Sequence, residues 1–229
     1  MEKKVIVLSL GGSLIVPDKV DFRFLKEFKK VILKNTKRYK FIIVCGGGSV
    51  ARKYISALEN INISKKLQSL AGIGATRMNA RFMNYFFNTD PSKGIPHTIR
   101  AVKRYIKKQD AVFCGGLEYK PNQTSDSTAA DIAKYFNTIF INLTNVFGLH
   151  DKNPLKYEDA KFIPKITWRD FDKLANKTKF KPGQHFVLDQ TASKIILKNK
   201  ITTYILGKNL KNLDNVLNGR KFRGTIIAG

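Results

Sequence analysis

Three short apolar runs in this chain each end at a glycine pair or triplet. Val5-Ile6-Val7-Leu8-Ser9-Leu10 stops at Gly11-Gly12-Ser13, Phe41-Ile42-Ile43-Val44-Cys45 at Gly46-Gly47-Gly48-Ser49, and Ala111-Val112-Phe113-Cys114 at Gly115-Gly116. A buried strand followed by a turn without side chains lets backbone N–H groups approach an anion closely. Three such turns suggest several phosphates gathered at the carboxyl ends of one parallel sheet, where ligands of open α/β sheets sit. Arg52 lies one helical turn past the triglycine. Its guanidinium either reaches back to a phosphate on the helix N-terminus or is a plain surface arginine. Asp126 follows the polar loop Asn122-Gln123-Thr124-Ser125. It is either a helix cap or a carboxylate that orients cationic groups or carries Mg²⁺ at a phosphoryl centre. Asp189, ahead of Gln190-Thr191-Ala192-Ser193, has the same two readings.

Other chemistries fit less well. Gly46-x-Gly48-x-x-Ala51 matches the dinucleotide pattern, but about 20 residues on, Lys65-Lys66-Leu67-Gln68 offers no carboxylate for a ribose. The Walker pattern is absent. His97, His150 and His185 share no metal spacing, so no zinc is expected, and no Ser/His/Asp or Cys/His order stands out.

The elements that must carry these residues alternate between strand and helix. Phe22, Leu25, Phe28 and Ile32 recur at helical spacing and predict an amphipathic helix over 21–36. Further helices are expected from 49 to 58, over 66–87 and 97–107, from the Thr124-Ser125-Asp126 cap region to Phe136, and over 167–176, 189–199 and 208–217. The remaining strands are expected at 39–45, 110–114, 138–143, 201–206 and 223–227, with a turn at 90–94. The stretch 147–165 is the least regular, and Pro154 and Pro164 keep it from being helix. Strands separated by helices imply a parallel sheet covered on both faces.

A chain of 229 residues fits one domain over 1–229, and it buries roughly 70% of its unfolded surface. The 43% hydrophobic content argues against disorder. Cys45 and Cys114 each close an apolar run, which suits reduced, buried thiols in a cytoplasmic protein rather than a bridge or metal pair. No basic leader with an apolar core opens the sequence, and no apolar run is long enough to span a bilayer, so no membrane partner is expected. Lys and Arg number 42 against 17 Asp and Glu, a formal charge of +25. Such a surface attracts polyanions, nucleic acid among them. The lysines are dispersed, however, which favours solvated helix faces over a nucleic-acid site.

Taken in order, the motifs resemble the amino acid kinase superfamily, and within it the archaeal type of uridylate kinases. The likeness runs nearly end to end. It is carried by Leu10-Gly11-Gly12-Ser13, by Val44 to Ile55, by Gly72-Ile73-x-x-Thr76-Arg77-x-Asn79-Ala80, and by Gly115-Gly116 with Thr124-Ser125-Asp126-x-x-Ala129-Ala130. Thr144-Asn145-Val146-x-Gly148, Leu188-Asp189-x-x-Ala192-x-Lys194-Ile195-Ile196 and the closing Gly224-Thr225-Ile226-Ile227 complete it.

The resemblance implies a three-layer α/β/α sandwich around a central, mainly parallel sheet, commonly assembled as a hexamer. It implies transfer of the γ-phosphoryl group of ATP to UMP with Mg²⁺, and assigns no metal-ligating side chain. By the same likeness, Gly12, Ser13, Gly48, Arg52, Thr144, Asn145, His150 and Asn153 bind ATP, while Gly47, Ser69, Leu117, Thr124 and Ser125 bind UMP. Asp126 and Asp189 fall on the paired catalytic carboxylates. Several positions depart from the pattern: Ser9 stands where many members carry Lys, Ser69 where Asp binds the UMP ribose, and Phe147 where an acid is common. His150 replaces Tyr, Asn153 replaces Asp, and the 117–125 loop is about two residues longer. These departures leave open a kinase with another phosphate or carboxylate acceptor, or a non-catalytic module that binds nucleotides or polyanions.

Overall fold

The side chains of the first strand alternate between two apolar layers. Ile6, Leu8 and Leu10 enter one buried cluster, with Phe28, Ile32 and Met83. Val7 enters the other, with Val102, Ile132 and Phe171. A strand that is apolar on both sides needs cover on both sides, and this is what makes the molecule three-layered. The computed structural model describes residues 3–89, 92, 94–152, 154, 157–177 and 188–229.

In chain order the elements are β1 (Lys4–Leu10), α1 (Gly12–Ile15), α2 (Phe22–Asn35), β2 (Tyr39–Cys45), α3 (Gly48–Asn60), α4 (Lys65–Phe86), α5 (Ile99–Lys108) and β3 (Ala111–Cys114). Then come α6 (Ser125–Phe136), β4 (Phe140–Leu143), β5 (Leu149–His150), β6 (Phe162–Ile163), β7 (Lys165–Ile166) and α7 (Trp168–Asn176). The chain closes with α8 (Gln190–Asn199), β8 (Thr203–Leu206), α9 (Leu210–Leu217) and β9 (Thr225–Ile227). Seven strands form one sheet in the order β3-β2-β1-β4-β8-β9-β7. Its pairs are parallel except β8 with β9. The first layer contains α1, α2, α4 and α9 and the second α5, α6, α7 and α8. This is the expected three-layer α/β/α sandwich with a mainly parallel sheet.

Side-chain caps set where the helices begin. Asp21, Ser64, Thr98, Thr167 and Asn209 each accept a hydrogen bond from a first-turn N–H of the helix that follows. Each cap satisfies one of the four N–H groups that a helix start leaves without a partner. Thr124 and Ser127 form a reciprocal capping box at α6. The irregular 147–165 stretch contains the antiparallel β5–β6 pair, Leu149 opposite Ile163 and His150 opposite Phe162. Asp90, Pro91 and Lys93 of the expected turn lie outside the described residues.

Candidate active site

Because β1, β2, β3 and β4 run parallel, their carboxyl ends and the turns that follow meet at one edge of the sheet. The first two glycine turns interlock there. A Cβ on Gly12 would stand 2.0 Å from the Gly48 nitrogen, a distance no side chain tolerates. Gly48 itself has φ +63°, in the left-handed region that favours glycine. Glycine is thus required twice, once for close approach and once for backbone conformation. The second turn leads directly into α3, so the start of that helix borders the space above the sheet.

That space is a cleft of about 740 Å³. Gly12, Ser13, Gly47, Gly48, Arg52, Ser69, Thr124, Ser125, Asp126, Thr144, Asn145, His150 and Asp189 all line it. Residues drawn from six separate stretches of sequence therefore converge on one site. Leu117 is placed differently: its side chain is buried in the second apolar layer, and its carbonyl accepts a hydrogen bond from Arg77. Asn153 lies outside the described residues. Ser69 donates to the Lys65 carbonyl within α4 at 2.8 Å, so its hydroxyl is already occupied in this state. His150 is 5% exposed, its Nδ1 is 3.2 Å from the Gly148 carbonyl, and its ring packs edge-on against Phe147. The Arg223 guanidinium covers Phe147 at 4.2 Å from the ring centroid.

The two carboxylates have different surroundings. Asp189 is 4% exposed. Its Oδ1 accepts from Ala192 N–H at 2.8 Å, the N-cap bond of α8, and its Oδ2 accepts from Thr124 Oγ1 and from Ser127 N–H. One acidic side chain therefore ties together the starts of α6 and α8, where the helix dipoles favour negative charge. Asp126 sits in the first turn of α6 on the cleft wall, and its Oδ1 accepts from Ser9 Oγ at 2.6 Å. Burial pushes its carboxyl up to about 7; Asp189 adds to the rise and the Ser9 hydrogen bond opposes it.

Helix α4 holds the second and third turns in place. Asn79 Nδ2 donates to the Gly46 carbonyl at 2.7 Å, and Thr76 Oγ1 accepts from Gly116 N–H at 2.8 Å. Arg77 donates to the Gly116 carbonyl at 3.0 Å and to the Leu117 carbonyl. Burial lowers the pKa of its guanidinium. These three residues belong to a recognised motif, yet sequence alone gave them no role. The available signal was three polar residues, Thr76, Arg77 and Asn79, close together within a helix that must pack against the sheet. Ser9 was signalled in the same way, as a hydroxyl inside an apolar strand. Lys120, Lys152 and Lys177 also line the cleft, as do the acidic Glu118 and Asp151. Lys120 is paired with Asp131 at 3.0 Å, and Lys152 with Asp159.

A profile described as the amino acid kinase family matches residues 4–207. A uridylate kinase of Thermoplasma volcanium is 35% identical over 217 residues, covering 94% of this chain and 93% of its own. A uridylate kinase of Thermoplasma acidophilum is 34% identical over 224 residues, covering 97% and 96%. The crystal structure of uridylate kinase from Archaeoglobus fulgidus superimposes with a TM-score of 0.82 at 30% identity, covering 97% of this chain and 99% of that one. With the fold, the glycine turns and the full-length relatives in agreement, the chain belongs to the amino acid kinase family.

Proposed function

We propose that this protein is a uridylate kinase, which transfers the γ-phosphoryl group of ATP to UMP and releases ADP and UDP. The observation that carries this reading is the cleft that two interlocked glycine turns share with the α6 and α8 starts, which carry Asp126 and Asp189. Relatives that match over nearly their whole length bear the name uridylate kinase. We assign the chemistry to 1–229 acting as one domain.

Phosphoryl transfer asks little covalent help of a protein; it asks that donor and acceptor be held in line and their charge be neutralised. Gly12, Ser13, Gly48 and Arg52 are suited to the ATP phosphates, because they offer backbone N–H groups and one guanidinium at the cleft wall. Thr144, Asn145 and His150, with Asn153, are assigned to the ATP nucleoside. Gly47, Ser69, Thr124 and Ser125 are assigned to UMP, with Leu117 contributing through its backbone. Asp189 keeps the α6 and α8 starts aligned on the reacting groups. The UMP phosphate oxygen is already anionic, so no side chain need remove a proton from it.

Mg²⁺ fits this site as an ion shared with substrate. Among the described residues no group of three or more His, Cys, Asp or Glu forms a cage. Mg²⁺ is ordinarily held by one or two carboxylates together with phosphate oxygens. Asp126, whose carboxylate lines the cleft, would hold it, and its chemistry there is neutralisation of phosphate charge. We further propose a homo-oligomer, with the hexamer expected from the resemblance. Tyr54 on α3 and Leu67, Met78 and Tyr85 on α4 are more than half exposed, which suits burial by another copy. Among the described residues no helix is long and apolar enough to cross a membrane. The free, buried thiols of Cys45 and Cys114 suit a cytoplasmic location.

Purified protein given ATP, Mg²⁺ and a panel of nucleoside monophosphates should form ADP and UDP, with UMP the best acceptor. Absence of turnover with every monophosphate overturns the proposal, and preference for another acceptor moves the substrate assignment.

A further inference from the structure

We propose that Ser9 is a positioning residue for phosphoryl transfer: its buried hydroxyl holds the Asp126 carboxylate in one orientation at the cleft wall. The proposal rests on the uridylate kinase reading for its reaction, but its geometry stands without it. Ser9 lies in β1 two residues before the first glycine turn, between Val44 of β2 and Asn142 of β4. It is 0% exposed. A hydroxyl buried in the centre of a sheet is costly unless it is hydrogen-bonded. Its hydroxyl donates to Asp126 Oδ1, 117 residues away in sequence, at 2.6 Å. That length falls in the range of a hydroxyl donating to a carboxylate, about 2.5–2.7 Å.

The bond is not needed to build the helix. The start of α6 is already closed by the Thr124–Ser127 capping box. It is tied again to α8 through Asp189, which accepts from Thr124 Oγ1 and Ser127 N–H. What Ser9 adds is control of the Asp126 side chain, whose Oδ1 it engages at the cleft wall. Among the described residues no Lys, Arg or His forms an ion pair with Asp126. The hydroxyl, a neutral donor, therefore does by a directional hydrogen bond what a basic partner would otherwise do by charge. An aligned carboxylate matters because misplacing a reacting or orienting group by about 1 Å costs on the order of 10²-fold in rate.

Ser9→Ala removes the hydroxyl and keeps the strand; Ser9→Thr keeps the hydroxyl. With ATP, Mg²⁺ and UMP, Ser9→Ala should lower kcat by about 10-fold to 100-fold. Both KM values should stay within about twofold, since the phosphate and nucleoside contacts are untouched. Ser9→Thr should recover most of kcat. A kcat for Ser9→Ala within twofold of wild type overturns the proposal, as does a loss carried by KM and by falling thermal stability. Crystal structures of wild type and Ser9→Ala supply a measurement independent of turnover. Asp126 should hold one rotamer in the first and leave it in the second; an unmoved Asp126 overturns the proposal whatever the substrate is. A wild type with no kinase activity, in which Asp126 nevertheless moves on removal of Ser9, overturns the functional reading alone.

Discussion

At the scale of single residues, the site is costly to the fold that carries it. Asp126 is held among protein groups with Asp189 as a negative neighbour, and its carboxyl is pushed up to about 7. In the unfolded chain an Asp titrates near 3.9. Between about pH 4 and pH 7 the native state therefore holds a proton on Asp126 that the unfolded state has lost. A native state that binds more protons loses stability as pH rises, so Asp126 destabilises the protein increasingly through this window, and fully above it. Asp126→Asn removes the titration yet keeps an oxygen that can accept from Ser9. Without nucleotide, Asp126→Asn should therefore melt at a higher temperature than wild type at pH 8, and the gap should shrink at pH 5. Thermal melts at both pH values check this; a gap that does not change with pH contradicts it. In the same variant, kinase activity should fall, which is the usual exchange of stability for function at an active site.

At the scale of elements, α4 holds the head of the loop proposed here to contact UMP. Its Arg77 donates to two successive carbonyls, Gly116 and Leu117, at the head of the 117–125 loop. A planar guanidinium can span two acceptors in this way, whereas a lysine ammonium is a point donor. Arg77→Ala should raise KM for UMP several-fold while KM for ATP stays near wild type, because the ATP-side turns are held by other contacts. Steady-state kinetics with each substrate varied in turn tests the split; an equal rise in both constants refutes it. The elements themselves were legible in sequence for a physical reason. Strands apolar on both sides read as unbroken Val/Ile/Leu runs, and capped amphipathic helices announce both their face and their start. The expected helix 66–87 is α4 at Lys65–Phe86, and the expected strand 39–45 is β2 at Tyr39–Cys45. The four-residue α1, and the two-residue β5, β6 and β7, were not legible, because so short a segment completes no period. Likewise the site residues on glycine turns and helix starts carry local signatures. The Ser9–Asp126 bond and the α4 contacts join residues distant in sequence, which no local pattern encodes.

At the scale of the whole molecule, two features oppose each other. The chain carries a formal charge of +25, and ion pairs among the described residues, such as Lys30–Glu27 and Lys65–Glu59, lie mostly at exposed sites where a pair contributes little. Copies of such a chain repel one another at low ionic strength. Against this stand the large apolar side chains left exposed on α3 and α4, with Met78 61% and Tyr85 58% exposed, which favour association. Salt acts on only one side of this balance. It shortens the Debye length from about 14 Å at 0.05 M to about 4 Å at 0.5 M and so screens the repulsion, while apolar burial is retained. Association should therefore strengthen with salt. In sedimentation equilibrium, raising sodium chloride across that range should shift the protein from smaller species to a closed homo-oligomer. Replacing Met78 and Tyr85 together by Ser should hold it at the smaller species at both salt concentrations. A wild type that is monomeric throughout at micromolar concentration rules out the homo-oligomer, and an assembly that dissociates as salt rises means that ionic contacts, not the α3–α4 face, hold it together.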